Sequence, residues 1–277
     1  MDPHQYCQRK AAASGSSFYY GFLFLPEDRR RAITALYAFC REVDDVVDEC
    51  SDAAVARMKL AWWRKEIGAV YSGSPQHPVA RALASLLPRY RLPEERLNEI
   101  IDGMEMDLER NRYPDFEALK LYCHRVAGVV GLLSAEIFGY EDARTLDYAA
   151  DLGLAFQLTN IIRDVGEDAR RNRIYLPLDE LARHGVDVAD LVQGRETGDF
   201  RRLMELQIER THDCYRQAFS KLPPVDRPAQ RPGIIMAAIY QALLEEIRAE
   251  GCHVLTQRTA LTPVRKLWIA WKTWIRG

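Results

Sequence analysis

Between residues 146 and 168 the chain reads as a helix that is apolar on nearly every side, with Leu152, Leu154, Phe156, Leu158, Ile161, Ile162 and Val165 spread around it. A helix of that kind belongs at the centre of a bundle. Yet Gln157, Asn160, Asp164 and Asp168 fall along one stripe of the same helix. A polar stripe on a central helix must meet either a partner network or a cavity.

A second acidic pair narrows the choice. A helix starts after Pro26, with Glu27 and Asp28 in its first turn, where they suit the dipole. Ile33, Leu36, Tyr37, Cys40, Val43 and Val47 then recur at helical spacing. At about 100° per residue, Tyr37, Arg41, Asp44 and Asp48 share a stripe about 60° wide that overlaps this apolar face. Asp44 and Asp48, like Asp164 and Asp168, are spaced i, i+4. Carboxylates so placed repel one another unless a cation lies between them. The alternatives are a helix end whose acids point to water for the first pair, and a satisfied interhelical network for the second. A cavity holding Mg²⁺ and a polyphosphate accounts for both pairs at once.

Oxygen donors of this sort suit a hard cation, and Mg²⁺ is usually held by one or two carboxylates plus substrate phosphates. The six cysteines, at positions 7, 40, 50, 123, 214 and 252, show no CxxC spacing, and the histidines are scattered. A structural zinc site is not expected. Unpatterned cysteines fit a reducing cytosol, so the expected location is cytoplasmic, with peripheral contact to the inner membrane in view.

At 277 residues, 48% hydrophobic and 28% charged, the chain can build a sizeable core, and no linker or composition shift divides it. It is read as a single domain over 1–277. A net charge of −2 excludes nucleic acid as an expected partner. The polar start is followed by no secretory h-region, and no apolar run is read as reaching the length of a bilayer span. Helical periodicity recurs over 28–49, 52–71, 78–88, 93–110, 115–138, 143–168, 199–221 and 232–256, with no strand-like alternation of any strength. The expected fold class is all-α. Neither GxGxxG nor a Walker A pattern is present, so diphosphate must be held by metal and side chains.

Arginines flank both acid pairs: Arg41 on the first stripe, Arg163 directly before Asp164, and Arg173 shortly after Asp168. Arginine reads phosphate oxygens bidentately and stabilises a departing diphosphate. Neutralising the neighbouring acids is the other reading, and for Arg41 the two stand level. In Tyr122-Cys123-His124-Arg125-Val126-Ala127-Gly128-Val129-Val130-Gly131, two glycines each cost about 1 kcal/mol against Ala in a helix, tolerable where another backbone or a ligand comes close. Tyr122 and Val126 then look like an apolar tunnel wall with one hydroxyl at its end, or, for Tyr122 alone, a core tyrosine. Phe18, Phe22 and Tyr240 are candidate aromatic lining able to stabilise a carbocation, though each taken singly reads as plain core. Near the C-terminus, Leu267, Trp268, Trp271, Trp274 and Ile275 form one helical face opposite Arg265, Lys272 and Arg276. That face fits an interfacial membrane anchor or a helix docked on the core equally well. His212-Asp213 is an isolated pair that carries no metal pattern.

The stretches FLFLPEDRRRAITALYAFCREVDDVVDE, YCHRVAGVVG and AFQLTNIIRDVGEDARRNRIYLP resemble the squalene/phytoene synthase family, over nearly the whole chain. The stretch 14–50 looks most like its bacterial branch that makes presqualene diphosphate for hopanoids. The resemblance implies an isoprenoid-synthase bundle around a central cavity and head-to-head condensation of two farnesyl diphosphates. The alternatives are full conversion to squalene with NADPH, phytoene formation from geranylgeranyl diphosphate, and a catalytically silent scaffold. By position it implies Mg²⁺–diphosphate binding by Asp44, Asp48, Asn160, Asp164 and Asp168. It further implies substrate contacts by Tyr37, Arg41, Gln157, Arg163, Arg173 and Tyr240, and by Arg258 across a one-residue gap. Tyr122 matches the family tyrosine implicated in proton transfer. Downstream squalene-pathway enzymes are the partners it suggests. Where some members carry a His-Ser-Lys-Ser type stretch, this chain has Ser14-Gly15-Ser16-Ser17, a departure compatible with stopping before a second ionisation.

Overall fold

In the computed structural model, residues 2–13, 18–50 and 52–276 are described, without the side chains of Phe18, Tyr19 and Arg276. Ser14-Gly15-Ser16-Ser17 and the Phe18 ring therefore lie outside what is described. The chain runs through α1 (Pro3–Ala13), α2 (Phe18–Phe22), α3 (Glu27–Glu49), α4 (Ala53–Ser72), α5 (Pro78–Leu86), α6 (Glu94–Glu109) and α7 (Phe116–Cys123). It continues through α8 (Val129–Phe138), α9 (Arg144–Arg170), α10 (Leu178–Arg183), α11 (Val188–Val192), α12 (Gly198–Lys221), α13 (Arg231–Ala249) and α14 (Pro263–Arg276). No strand occurs among the described residues, and the lone β-bridge joins Arg112 to Ile174. The fold is all-α, as the periodicity predicts.

α9 is the axis of the bundle: it packs against α8, α12 and α13, and most of its residues are buried. Glycines on α9 and α8 set how closely the two helices and the turn before α8 come together. A Cβ on Gly153 would stand 2.4 Å from the Ala127 carbonyl oxygen, and one on Gly131 would stand 2.1 Å from that of Ala149. The two backbones touch, which is the close approach that glycine in the 122–131 segment predicts.

That segment holds the first departure from expectation. The single helix expected over 115–138 contains a π-helical turn at His124–Gly128, between α7 and α8. Such wide turns insert one residue and often border functional sites. Over Phe116–Phe138 the chain is also long and apolar enough to cross a bilayer, with a mean hydropathy of 1.3 in its best window, which corrects the reading that no run reaches that length. Here it packs on α6 and α9, with 44% of that window buried.

Short elements escaped the periodicity. α1 was missed because its surface is mostly polar, yet Cys7 is fully buried and Tyr6 donates to Glu42 at 2.8 Å. Lys10 pairs with Asp45 at 2.8 Å, so this acid of the first cluster serves the α1–α3 contact. α13 stops at Ala249, short of the expected 256, because Gly251 (φ 82) and Cys252 (φ 58) turn the chain left-handed.

Candidate active site

α3 and α9 face one another across two adjoining cavities. The first, about 400 Å³, is polar and is lined by Asp44, Asp48, Asn160, Asp164 and Asp168 together with Arg41, Arg163, Arg173 and Arg258. The second, about 210 Å³, is apolar, with Phe22, Tyr37, Val126, Val130, Phe156 and Met236 in its wall. Arg41, Asp44, Tyr122, Gln157 and Asn160 line both, so they mark the boundary. The inward stripes of both helices thus border one composite space.

Of the four predicted aspartates, Asp44, Asp48 and Asp164 are each met by arginine. Arg41 donates to Asp44 at 2.6 Å, and also bonds Asp45. Arg173 donates to Asp48 at 2.7 Å, and Arg171 stands 3.4 Å from the same carboxylate. Asp164 accepts from Arg163 Nε at 2.8 Å and from Arg258 Nε at 2.8 Å. No cation lies within ion-pair distance of Asp168 among the described residues. Arg258 thereby joins the site despite the gap in its sequence match.

The electrostatics follow. Burial, then the charge of Asp48, pushes the Asp44 carboxyl up to about 6, against the pull of Arg41. Burial and the charge of Asp164 raise Asp168 to about 7. Burial also opposes ionisation of Asp164, but Arg163 and Arg258 outweigh it and hold this carboxyl below its ordinary value. The polar cavity therefore carries more carboxylate than its protein cations neutralise comfortably.

One sequence-predicted site residue falls elsewhere. Tyr240 is buried but lines neither cavity, its ring lying 5.0 Å from that of Phe156 and its hydroxyl bonded to Arg163. It stands behind the wall. Trp274 turns inward, stacked on Phe24 at 4.8 Å and capped by Arg231, so the C-terminal aromatic face divides in two. Among the residues missed are an acid and two tyrosines that form one group. Asp107 lines the polar cavity and accepts from Tyr122 Oη at 2.9 Å and Tyr175 Oη at 2.7 Å. Tyr113 completes the group, 5.8 Å from the Tyr175 ring. Asp107 could have been found, since it continues the stripe of Leu97, Ile100 and Met104 and is as inward as Asp44.

Residues 11–265 match the model of the squalene/phytoene synthase family. The chain belongs to that family. Its members are prenyltransferase-type enzymes. The chloroplastic phytoene synthase of Narcissus pseudonarcissus is 35% identical over 96% of this chain, which spans 64% of that enzyme's length. Among solved structures, a dehydrosqualene synthase bound to a ligand superposes with a TM-score of 0.89 at 27% identity, covering 98% of this chain and 95% of that one. Squalene synthase HpnC from Alicyclobacillus acidocaldarius gives 0.78 at 29%, covering 90% and 94%. Family and fold agree with the two-cavity geometry, while these relatives divide between phytoene and squalene chemistry.

The donor set suits magnesium in one particular way. Among the described residues no group of three His, Cys, Asp or Glu side chains is placed to hold a metal alone. The carboxylates are oxygen donors shared between two helices, and those of Asp44, Asp48 and Asp164 are held by arginines. A site of that kind takes a hard cation together with a phosphate-bearing ligand that supplies the remaining oxygens.

Proposed function

We propose that the chain condenses two farnesyl diphosphates head to head, giving presqualene diphosphate, diphosphate and a proton. The observation that carries this reading is the shared boundary between a chamber of acids and arginines and an apolar chamber. A prenyl diphosphate has those two ends. Asp44, Asp48, Asn160, Asp164 and Asp168 would hold Mg²⁺ with the substrate. The ion supplies neutralisation of diphosphate charge as the leaving group departs. Arg41, Arg163, Arg173 and Arg258 sit where phosphate oxygens would compete for their guanidinium groups. The apolar cavity keeps water from the allylic cation, and the rings of Phe22, Tyr37 and Phe156 offer it π-faces.

A second reading is favoured by the relatives' names: condensation of geranylgeranyl diphosphate toward phytoene. One experiment separates the two. Purified protein is given each diphosphate with Mg²⁺, with and without NADPH, and products are analysed before and after phosphatase. A farnesyl-derived cyclopropyl alcohol seen only after phosphatase supports the first reading. Turnover confined to geranylgeranyl diphosphate, or squalene requiring NADPH, replaces it.

The reading extends to location. Val264, Leu267, Trp268, Trp271 and Ile275 stand 46–76% exposed in one stripe of α14, while Ala270 and Trp274 face the core. The helix contains no acid, and Arg265 and Lys272 border the stripe. This chemistry fits an anionic lipid surface, into which the long hydrocarbon part of the product would partition. Flotation with vesicles containing phosphatidylglycerol should carry the protein, and Trp268→Ser with Trp271→Ser should abolish it. Equal flotation of that variant, or a concentration-dependent dimer in place of lipid binding, overturns the assignment.

A further inference from the structure

We infer that Asp107 is the positioning residue behind Tyr122, accepting through it the proton that leaves the reacting carbon when the cyclopropane closes. The inference rests on the head-to-head reading and deepens it.

Hydrogen-bond direction is the first argument. A tyrosine hydroxyl has one hydrogen. Tyr122 gives it to Asp107 Oδ2 at 2.9 Å, and Tyr175 gives its own to Oδ1 at 2.7 Å. The Tyr122–Tyr175 oxygen separation, 3.4 Å, is too long to compete. The Tyr122 oxygen is therefore left as an acceptor, on a residue that lines both cavities. It lies where a hydrocarbon chain would meet its diphosphate.

Acidity is the second argument. Burial, then the charge of Asp107, drives the Tyr122 phenol well above its ordinary value, so a standing phenolate at this position is disfavoured. A neutral phenol takes a proton only if it surrenders its own in the same event. Asp107 is the group to which that proton is already bonded. Burial lifts its carboxyl to about 6, against the hydrogen bond from Tyr175 and the charge of Arg173, which leaves it a competent acceptor near neutral pH.

The step balances. A C–H bond of the condensed cation breaks and its electron pair closes the ring. The proton passes to Tyr122 Oη while the Tyr122 proton passes to Asp107 Oδ2. Asp107 ends protonated and returns the proton to solvent through the polar cavity, which it lines beside Arg173. No oxidant or reductant is needed. The ring stack holds the geometry: Tyr122 and Tyr175 lie 5.2 Å apart at 21°, and Tyr113 closes the other side.

The test is the partition of product in a single turnover of farnesyl diphosphate with Mg²⁺. Asp107→Asn keeps the shape and an acceptor oxygen but cannot take the proton. The ratio of cyclopropyl product to diphosphate released should fall by about 100-fold, with prenyl alcohols and dienes replacing it. Tyr122→Phe should partition alike, the double variant should be no worse, and Asp107→Glu should recover part of the ratio. In wild-type protein, D₂O should shift the partition toward alcohols, a readout that no folding defect can mimic. Asp107→Asn with the wild-type ratio, additive single variants, or no shift in D₂O overturns the relay while leaving condensation standing. A folded Asp107→Asn that releases no diphosphate also overturns it, placing the residue in ionisation. Wild-type protein that forms no condensed product overturns the proposed function, and the relay with it.

Discussion

Arg173 ties Asp48 of α3 to the end of α9: its guanidinium donates to the Asp48 carboxylate at 2.7 Å and to the Val47 carbonyl at 3.1 Å, while its backbone N–H donates to the Asp168 carbonyl at 2.8 Å. One residue thus fixes the distance between the two acidic clusters. Arg173→Lys keeps the charge but loses the planar fork, so kcat/KM for the prenyl diphosphate should fall about 10- to 100-fold with the helical signal unchanged. Steady-state kinetics on the variant checks this, and an unaltered kcat/KM would contradict it.

Phe22 stands in the apolar wall, tilted against Phe138 with ring centres 6.5 Å apart. Phe22→Ala opens room for a longer prenyl chain. The preference for geranylgeranyl over farnesyl diphosphate, read as a ratio of kcat/KM values in competition, should rise by about 10-fold, the scale on which hydrophobic pockets discriminate chain length. No change in the ratio would mean that the chain end lies elsewhere.

Gly131 leaves no space for a side chain, since an added Cβ would stand 2.1 Å from the Ala149 carbonyl oxygen. Gly131→Ala must push α8 off α9 and should cost about 1–3 kcal/mol, read as a lowered urea midpoint. Gly73, whose Cβ would meet nothing within 4 Å but whose φ is +83, is the contrasting site: there strain alone acts, and the loss should be smaller.

Asp226 is buried and accepts from the Glu141 and Asp142 N–H groups at 2.7 and 3.1 Å and from the Thr145 hydroxyl at 2.5 Å. Burial alone would raise its carboxyl, but the Thr145 and backbone hydrogen bonds outweigh that and hold it below the usual value. A group depressed on folding contributes stability that is complete above its unfolded value, about 3.9, and is lost as pH falls through the folded one. Asp226→Asn should therefore lower stability at pH 7 and flatten the acid side of the stability curve. A variant whose acid limb matches the wild type would refute the assignment.

The fold was legible where a helix was long and its face uniform. α3, α9 and α12 declared themselves by period, and the inward acids of α3 and α9 by the conflict between charge and burial. Asp107 carried the same conflict, but it is a single acid among Asp102, Glu105 and Glu109, with no i, i+4 partner to draw notice. α10 and α11 are five or six residues long, below the length at which a period shows. Trp274 stayed open between membrane and core because a short helix dense in tryptophan presents apolar surface on both sides, and only the packing against Phe24 and Arg231 decides which side each ring takes. Tyr240 matched by position, yet its place behind Arg163 depends on how α13 meets α9, which no local pattern encodes.

The central claim is that Asp44 on α3 and Asp164 on α9 serve one Mg²⁺–diphosphate site. Its most direct test is Mg²⁺-dependent diphosphate release from farnesyl diphosphate by wild-type protein, Asp44→Asn and Asp164→Asn, each shown to be folded. Release should require Mg²⁺ in the wild type and fall by at least about 100-fold in both variants. Wild-type release without the metal, or near-normal release by either variant, would contradict the account.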